Sequence, residues 1–358
     1  MYTIQIHPKE WTFRKAAGTS RGVYHTRKVS YLCLTDSRQQ GRCGWGECAP
    51  LPALSIDDVP NYAALLSHFC ERLTERLNKG NEPLSLTNSE YEMLRPYPSM
   101  LFGIETMLLH YERNSWTLFD TPFARGEEGI LINGLIWMGK YDDMLRQIDE
   151  KMRKGFRCVK LKIGAIDFEQ ELSLLRHIRK AYTSEEITLR VDANGAFTPE
   201  EALGKLERLS LLDLHSIEQP IRANQCEQMA RLCQKTPLPI ALDEELIGNF
   251  TIEAKQQLLR NIHPQYIILK PSLHGGLQGT AEWIAVAKSL DIGWWITSAL
   301  ETNIGLNAIA QLCATFGTTI PQGLGTGQLF TDNIPLPLEI RKDTLWYNTK
   351  QATPSVSL

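Results

Sequence analysis

The stretch CVKLKIGA, residues 158–165, is apolar enough to be a buried strand, yet it carries two lysines, Lys160 and Lys162, one residue apart. Alternate side chains of a strand share a face, so both ammonium groups point one way while Val159, Leu161 and Ile163 point the other. Read alone, the segment is a half-exposed strand whose lysines meet water. Its surroundings change that reading, because acids and a further lysine recur along the chain at strand ends with the period of a βα unit.

Downstream of residue 126 the text alternates short apolar runs with amphipathic segments. The runs ILINGLIW, CVKLKI, ITLRVDA, LHSIEQP, PIALDE, YIILKP, GWWITS and TIPQGLG predict eight strands. Between them, Thr198, Pro199 and Glu201 spell an N-cap, a first-turn proline and a capping-box acid, and Leu172, Leu175 and Ile178 mark an apolar helix face. The grammar is that of an α/β parallel barrel. The alternative is a doubly wound sheet, against which no GxGxxG follows the first strand.

Upstream, YTIQIH, VSYLCLTD and GRCGWGECAP read as an antiparallel meander, followed by two helices in NYAALLSHFCERLTERL and SMLFGIETMLLHYER. Residues 1–125 are expected to form an α+β capping domain completed by the C-terminal segment 326–358, and residues 126–325 the barrel. The linker TPFARGEEG stands at the change of grammar.

A chain of 358 residues, 43% hydrophobic and 22% charged, with 38 basic against 41 acidic side chains, has no basic field for nucleic acid. The eight cysteines, among them Cys33, Cys158 and Cys313, form no CxxC pair and lie partly within apolar runs, which reads as reduced packing rather than a disulfide framework or zinc site. The opening MYTIQIHPKE lacks a basic head followed by an apolar run, and no stretch approaches 18 uninterrupted apolar residues. A cytoplasmic protein with no membrane partner is expected.

Counting from Lys162, the next strand-end charges are Asp192, Glu218, Asp243 and Lys270, at steps of 30, 26, 25 and 27 residues. Whole βα units return a chain to the same rim, and active sites of parallel barrels lie at the C-terminal rim. Each acid alone would be read as a strand-end cap or surface ion pair. Three together would repel unless a hard divalent ion sat among them, so Asp192, Glu218 and Asp243 are predicted metal ligands for Mg²⁺, with Mn²⁺ able to substitute. Lys160 and Lys162 would then stand across the barrel from Lys270, with a small carboxylate substrate between. Crowding by cations and partial burial lower a lysine pKa, so Lys160 is expected to prepare Lys162 as a base. A base opposite a metal suits proton abstraction next to a carboxylate.

These residues resemble the enolase superfamily, muconate-lactonizing subgroup. VKLKIG is similar to its KxK strand, VDANGAF to its DxN strand, IEQP and LDEE to the next two ligand strands, and ILKPS to the strand of its second catalytic lysine. The resemblance runs over nearly the whole chain and implies a (β/α)7β barrel with an N-terminal α+β cap. INGLIWMG, TSALETNIGLNAIAQL and PQGLGTGQLF resemble the o-succinylbenzoate-forming members of that subgroup. This implies metal-dependent dehydration of 2-succinyl-6-hydroxy-2,4-cyclohexadiene-1-carboxylate in menaquinone biosynthesis. Lys162 would act as base and then acid, and Lys270 would remain cationic against the enediolate.

The same resemblance implies that Ser298 and the backbone at Gly323 and Gly325 receive the succinyl tail, and that Asn194 and Glu244 support the metal ligands and Lys270. GWGECAPLP is similar to the capping-domain loop, and SRG, Ser20–Gly22, to a mobile loop that brings Ser20 and Arg21 over the substrate. GLGTGQL lacks the paired aspartates of dipeptide epimerases. N-succinylamino acid racemisation stays open, since both lysines for two-sided proton transfer are present. A non-catalytic binding protein on this fold would be expected to have lost a lysine or a metal acid, and none is lost. Gly275 and Gly276 read as a glycine turn rather than a phosphate cradle.

Overall fold

The structure is a computed structural model and describes residues 1–19, 22–80, 83–351 and 356. Its first part is a three-stranded antiparallel sheet of β1 (Tyr2–Thr19), β2 (Gly22–Asp36) and β3 (Cys43–Cys48), covered by α1 (Tyr62–Asn78), α2 (Asn88–Leu94) and α3 (Pro98–Arg113). β1 and β2 pair from Tyr2↔Asp36 to Thr12↔Thr26, where the register shifts, and resume at Ala17↔Tyr24. Leu32 and Leu34 of β2 face Leu66, Leu73, Leu101 and Met107 of the helices in one apolar cluster.

α3 lies against β3 closer than side chains normally permit. A Cβ on Gly46 would sit 1.9 Å from the carbonyl oxygen of Gly103, and one on Gly103 would sit 2.3 Å from Cys48 Sγ. Glycine is required at this crossing because backbone touches backbone.

β4 (Ile130–Leu131) leads into the barrel. The parallel sheet runs in the order β11-β10-β9-β8-β7-β6-β5, with β5 (Gly134–Ile136), β6 (Cys158–Lys162), β7 (Thr188–Asp192), β8 (Ser216–Glu218), β9 (Ile240–Leu242), β10 (Tyr266–Leu269) and β11 (Gly293–Ile296). The helices α4 (Tyr141–Arg153), α5 (Phe168–Ala181), α6 (Pro199–Ser210), α7 (Cys226–Lys235), α8 (Ile252–Ile262), α9 (Gly276–Ser289) and α10 (Asn303–Ala314) alternate with them and follow β11. Thr198 caps α6 with the capping box its sequence spells, Glu201 accepting from the Thr198 backbone.

Strand alternation sorts the side chains. Val159, Leu161, Leu189, Val191, Ile217, Ile240, Leu242, Ile267 and Leu269 belong to the large cluster shared with the helices. The opposite face fills the lumen, where Ala241, Ile268 and Trp295 pack together and the Arg190 guanidinium lies 4.1 Å from the centre of a Trp295 ring. Lys160 and Lys162 therefore point into the barrel, not to solvent.

The first and last predicted strands join the barrel differently from the expectation. ILINGLIW divides, its first part pairing with the C-terminal hairpin of β12 (Leu338–Arg341) and β13 (Thr344–Tyr347), and Gly134–Ile136 pairing with β6 in the barrel. TIPQGLG contributes two residues: Gln322 bridges to Ile132 and Gly323 to Thr297. The Gln322 side chain stands in for missing backbone, since its Oε1 accepts Ile296 N at 2.7 Å. Closure of the circle thus needs only a short segment.

The C-terminal segment also divides. Arg14 N donates to Leu329 O and Thr331 N to Thr12 O, and Phe330, Ile334 and Leu336 pack in the cap cluster with Trp11 and Phe13. The hairpin beyond them pairs with β4 at the barrel entrance instead. No described helix is long and apolar enough to cross a membrane.

Gly46→Ala is expected to lower unfolding stability by about 3 kcal/mol or more, because neither backbone can retreat without breaking the sheet or the helix. Chemical denaturation of the variant checks this, and a midpoint within error of the parent would disprove the contact's importance.

Candidate active site

β6, β7 and β8 set their last residues in one row, with Lys162 paired to Asp192 and Asp192 to Glu218. Asp243 follows the end of β9 and Lys270 follows β10, which is separated from β6 by three strands. Asp192 and Asp243 are 0% exposed, Glu218 2% and Lys162 8%, so these four charges are removed from bulk water, and Lys270 is mostly covered.

Their contacts are ammonium to carboxylate. Lys160 Nζ donates to Glu218 Oε2 at 2.6 Å and to Asp192 Oδ2 at 3.1 Å. Lys162 Nζ donates to the same Asp192 oxygen at 2.8 Å and to Asn194 Oδ1 at 2.7 Å. Lys270 Nζ donates to Asp243 Oδ2. Asn194 in turn donates from Nδ2 to Glu244 Oε1 at 3.1 Å, and its backbone N–H meets Asp192 Oδ1 at 3.0 Å.

The surrounding acids set the charge state of Lys160. Burial disfavours its charge, but the Asp192 and Glu218 carboxylates outweigh burial and raise its pKa. It is therefore held as a cation at the rim, one strand residue away from Lys162. Lys270 is likewise raised: burial opposes the charge and Asp243 and Glu218 overcome it. Burial works against the Asp192 anion too, yet Lys160 and Lys162 pull its pKa below the usual carboxylate range. Glu218 moves the other way, to about 8, through burial first and the Asp192 charge second.

A hard divalent cation suits this donor set. The three acids are buried and offer only oxygen, and Glu218 Oε1 and Asp243 Oδ1 have no hydrogen-bond partner. A buried, unpaired carboxylate oxygen is costly, and an oxygen-seeking ion would satisfy it. In the geometry described, Asp192, Glu218 and Asp243 are each paired with a lysine. Among the described residues no three His, Cys, Asp or Glu side chains stand together as a metal cluster. The ammonium heads take one oxygen of each acid: Asp192 Oδ2, Glu218 Oε2 and Asp243 Oδ2. Lysine heads turn on long, flexible stems, so these oxygens can be exchanged between ligands.

The lysines line a cavity of about 470 Å³ together with Asp192, Glu218, Asn194 and Glu244. Ser298, Gly323 and Gly325 also line it, and Ser298 Oγ is 2.6 Å from Thr326 Oγ1. Ser20 and Arg21 lie outside the described residues. Sequence reasoning missed Tyr24, Leu51 and Leu54 of the cap and Trp137 of the barrel, which supply the cavity's apolar side. It also missed Gln219, whose Oε1 accepts the backbone N–H of Asp243 at 3.2 Å, and His274, whose Nδ1 accepts that of Lys270 at 2.9 Å. The EQP and KPSLH strings carried these two only as neighbours of charged residues.

The barrel, its rim of alternating ammonium and carboxylate and its cap fit one class of protein. The chain belongs to the Enolase C-terminal domain-like family, whose profile matches residues 143–348. It is 43% identical over 357 residues to the o-succinylbenzoate synthase of Desulfotalea psychrophila, covering 92% of this chain and 94% of that protein. The crystal structure of MenC from Desulfotalea psychrophila LSv54 superposes with a TM-score of 0.82 at 38% identity, over 96% of this chain and 99% of that one. A dipeptide epimerase from Enterococcus faecalis V583, solved with Mg and L-Leu-L-Tyr, has a TM-score of 0.81 at 18% identity, covering 96% of each chain. That likeness concerns the fold, and a metal ion accompanies that relative's substrate.

Asp243→Asn is expected to weaken binding of a divalent cation by about tenfold or more, read by calorimetry without substrate. Unchanged affinity would remove Asp243 from the ligand set.

Proposed function

We propose that this chain is an o-succinylbenzoate synthase, converting 2-succinyl-6-hydroxy-2,4-cyclohexadiene-1-carboxylate to o-succinylbenzoate with loss of water in the cytoplasmic route to menaquinone. The observation that carries the reading is the 43% identity to an o-succinylbenzoate synthase over nearly the full length. The cavity supports it, lined by Lys162 of β6 and by Lys270 after β10, strands with three others between them. Residues 1–125 serve as the cap over a catalytic barrel of residues 126–325, the 329–336 stretch returning to the cap.

In this reading Lys162 is the base. Two directions of its Nζ are held by Asp192 and Asn194, which leaves the remaining one for substrate. The neutral amine takes the proton from the ring carbon beside the carboxylate, and the electron pair enters an enediolate. Lys270, held cationic by Asp243, faces that negative charge from the opposite side. The Lys162 ammonium then returns the proton to the departing hydroxyl. One C–H and one C–O bond are broken, water leaves, and the ring gains the double bond that makes it aromatic.

Asp192, Glu218 and Asp243 would hold Mg²⁺, with Mn²⁺ able to substitute. When bound, the cation supplies Lewis-acid stabilisation of the substrate carboxylate. Lys160 bridges Asp192 and Glu218 and keeps these acids in register. Ser298 with the Gly323 and Gly325 backbone would take the succinyl tail, against the apolar wall of Trp137 and Leu54. Asn194 orients Lys162 and reaches Glu244.

Lys162→Ala is expected to lower the dehydration rate by about 10²–10⁴-fold while circular dichroism stays that of the parent. Appreciable turnover in the folded variant would contradict the base. Exhaustive chelation should stop the parent's reaction and added Mg²⁺ restore it. Measured on one preparation, kcat/KM for dehydration should exceed that for racemisation of N-succinyl amino acids, and the reverse order would overturn the assignment.

A further inference from the structure

Two glutamates of the cap end on the barrel. Glu47, from the GWGECAP stretch in β3, is 0% exposed and accepts Thr302 N at 2.8 Å, Thr302 Oγ1 at 2.7 Å and Gly305 N at 2.7 Å. Thr302 is the N-cap of α10, yet its side chain makes no capping bond to that helix. Glu47 supplies the acceptor that the first turn needs.

Glu105, midway along α3, does the same for α9. Its carboxylate accepts Leu277 N at 2.6 Å and Gln278 N at 3.2 Å, where the N-cap, Gly275, has no side chain to offer. A Cβ on Gly276 would lie 2.1 Å from Glu105 Oε2. The glycine pair thus makes room for a carboxylate of the same chain, which takes the seat that a phosphate would occupy at such a terminus.

Each of these helices follows a strand that delivers a residue to the cavity. Lys270 is joined to α9 by a tight loop: its carbonyl accepts Leu273 N at 2.8 Å and His274 N at 3.0 Å, and its own N–H meets the His274 ring. Ser298 precedes α10 by a loop in which Ala299 N donates to Glu301 Oε2 at 2.6 Å. The other Glu301 oxygen accepts Ser272 Oγ, which ties the two loops together. The far end of each loop is therefore anchored by the cap, and the near end holds a cavity residue.

We propose that Glu105 and Glu47 are positioning residues of the reaction, Glu105 fixing Lys270 and Glu47 fixing Ser298 by clamping the first turns of α9 and α10 to the cap. The cap in this view sets the shape of the barrel rim as well as covering it. The kinetic expectation rests on the dehydration reading above; the clamp itself does not.

The test compares E105Q and E47Q with the parent, per folded molecule. Glutamine keeps the volume but presents an NH₂ group to one of the backbone donors. E105Q is expected to lose roughly 10- to 100-fold in kcat with little change in KM, since Lys270 faces the reacting carbon. E47Q is expected to raise KM by about tenfold with a smaller change in kcat, since Ser298 faces the tail.

Amide hydrogen exchange without substrate should quicken most at residues 271–280 in E105Q and most at 299–306 in E47Q. Parental exchange in both variants overturns the clamp, and faster exchange with parental kcat and KM overturns the positioning role. Should a glutamine variant fail to fold, E105D or E47D, which keeps the charge and shortens its reach, is read in the same way. A parent that does not dehydrate the substrate refutes the proposed function, while the exchange measurement still decides the clamp.

Discussion

Everything at the rim follows from burying three carboxylates on three successive parallel strands. Asp192, Glu218 and Asp243 are almost completely shielded from water, where like charges a few ångströms apart repel strongly. The fold can keep them only beside positive charge. Lys160, Lys162 and Lys270 supply it in the geometry described, and each reaches an acid from its own or a neighbouring part of the rim. Such pairs are weak contributors to stability, since desolvation offsets attraction. Their retention in a barrel lumen therefore points to chemistry more than to folding.

The same constraint explains the opposite pKa directions of two neighbouring acids. Asp192 accepts from two ammonium groups and stays strongly anionic; Glu218 accepts from one and stands next to the Asp192 charge, so its proton affinity rises. The row is not symmetric, and its surplus of unsatisfied oxygen lies at Glu218 Oε1 and Asp243 Oδ1. Those two atoms are where a hard cation has most to offer.

The cap is joined to this rim by polar contacts buried as deeply as the acids. Arg27, 2% exposed, donates to the Pro50 carbonyl in the cap at 2.5 Å and to the Leu300 carbonyl in the barrel at 3.4 Å. Tyr31 reaches Thr302 at 2.7 Å. Unpaired, these groups would each cost free energy, so the cap and the loops after β10 and β11 favour one mutual arrangement. Tyr24, Leu51 and Leu54 then stand over the cavity by consequence of that docking.

The alternation of CVKLK and the βα spacing of Asp192, Glu218, Asp243 and Lys270 were enough to place five charges on one barrel rim, because strand period and unit length are local properties of the chain. Thr198 and Glu201 announced a helix start for the same reason. Other features needed the folded chain. That Gln322 closes the circle with a side-chain amide, that each rim acid is met by an ammonium group, and that Glu47 and Glu105 serve helices far along the sequence are all long-range facts. Partners separated by 172 or 255 residues leave no periodic trace, since only tertiary packing brings them within hydrogen-bond distance.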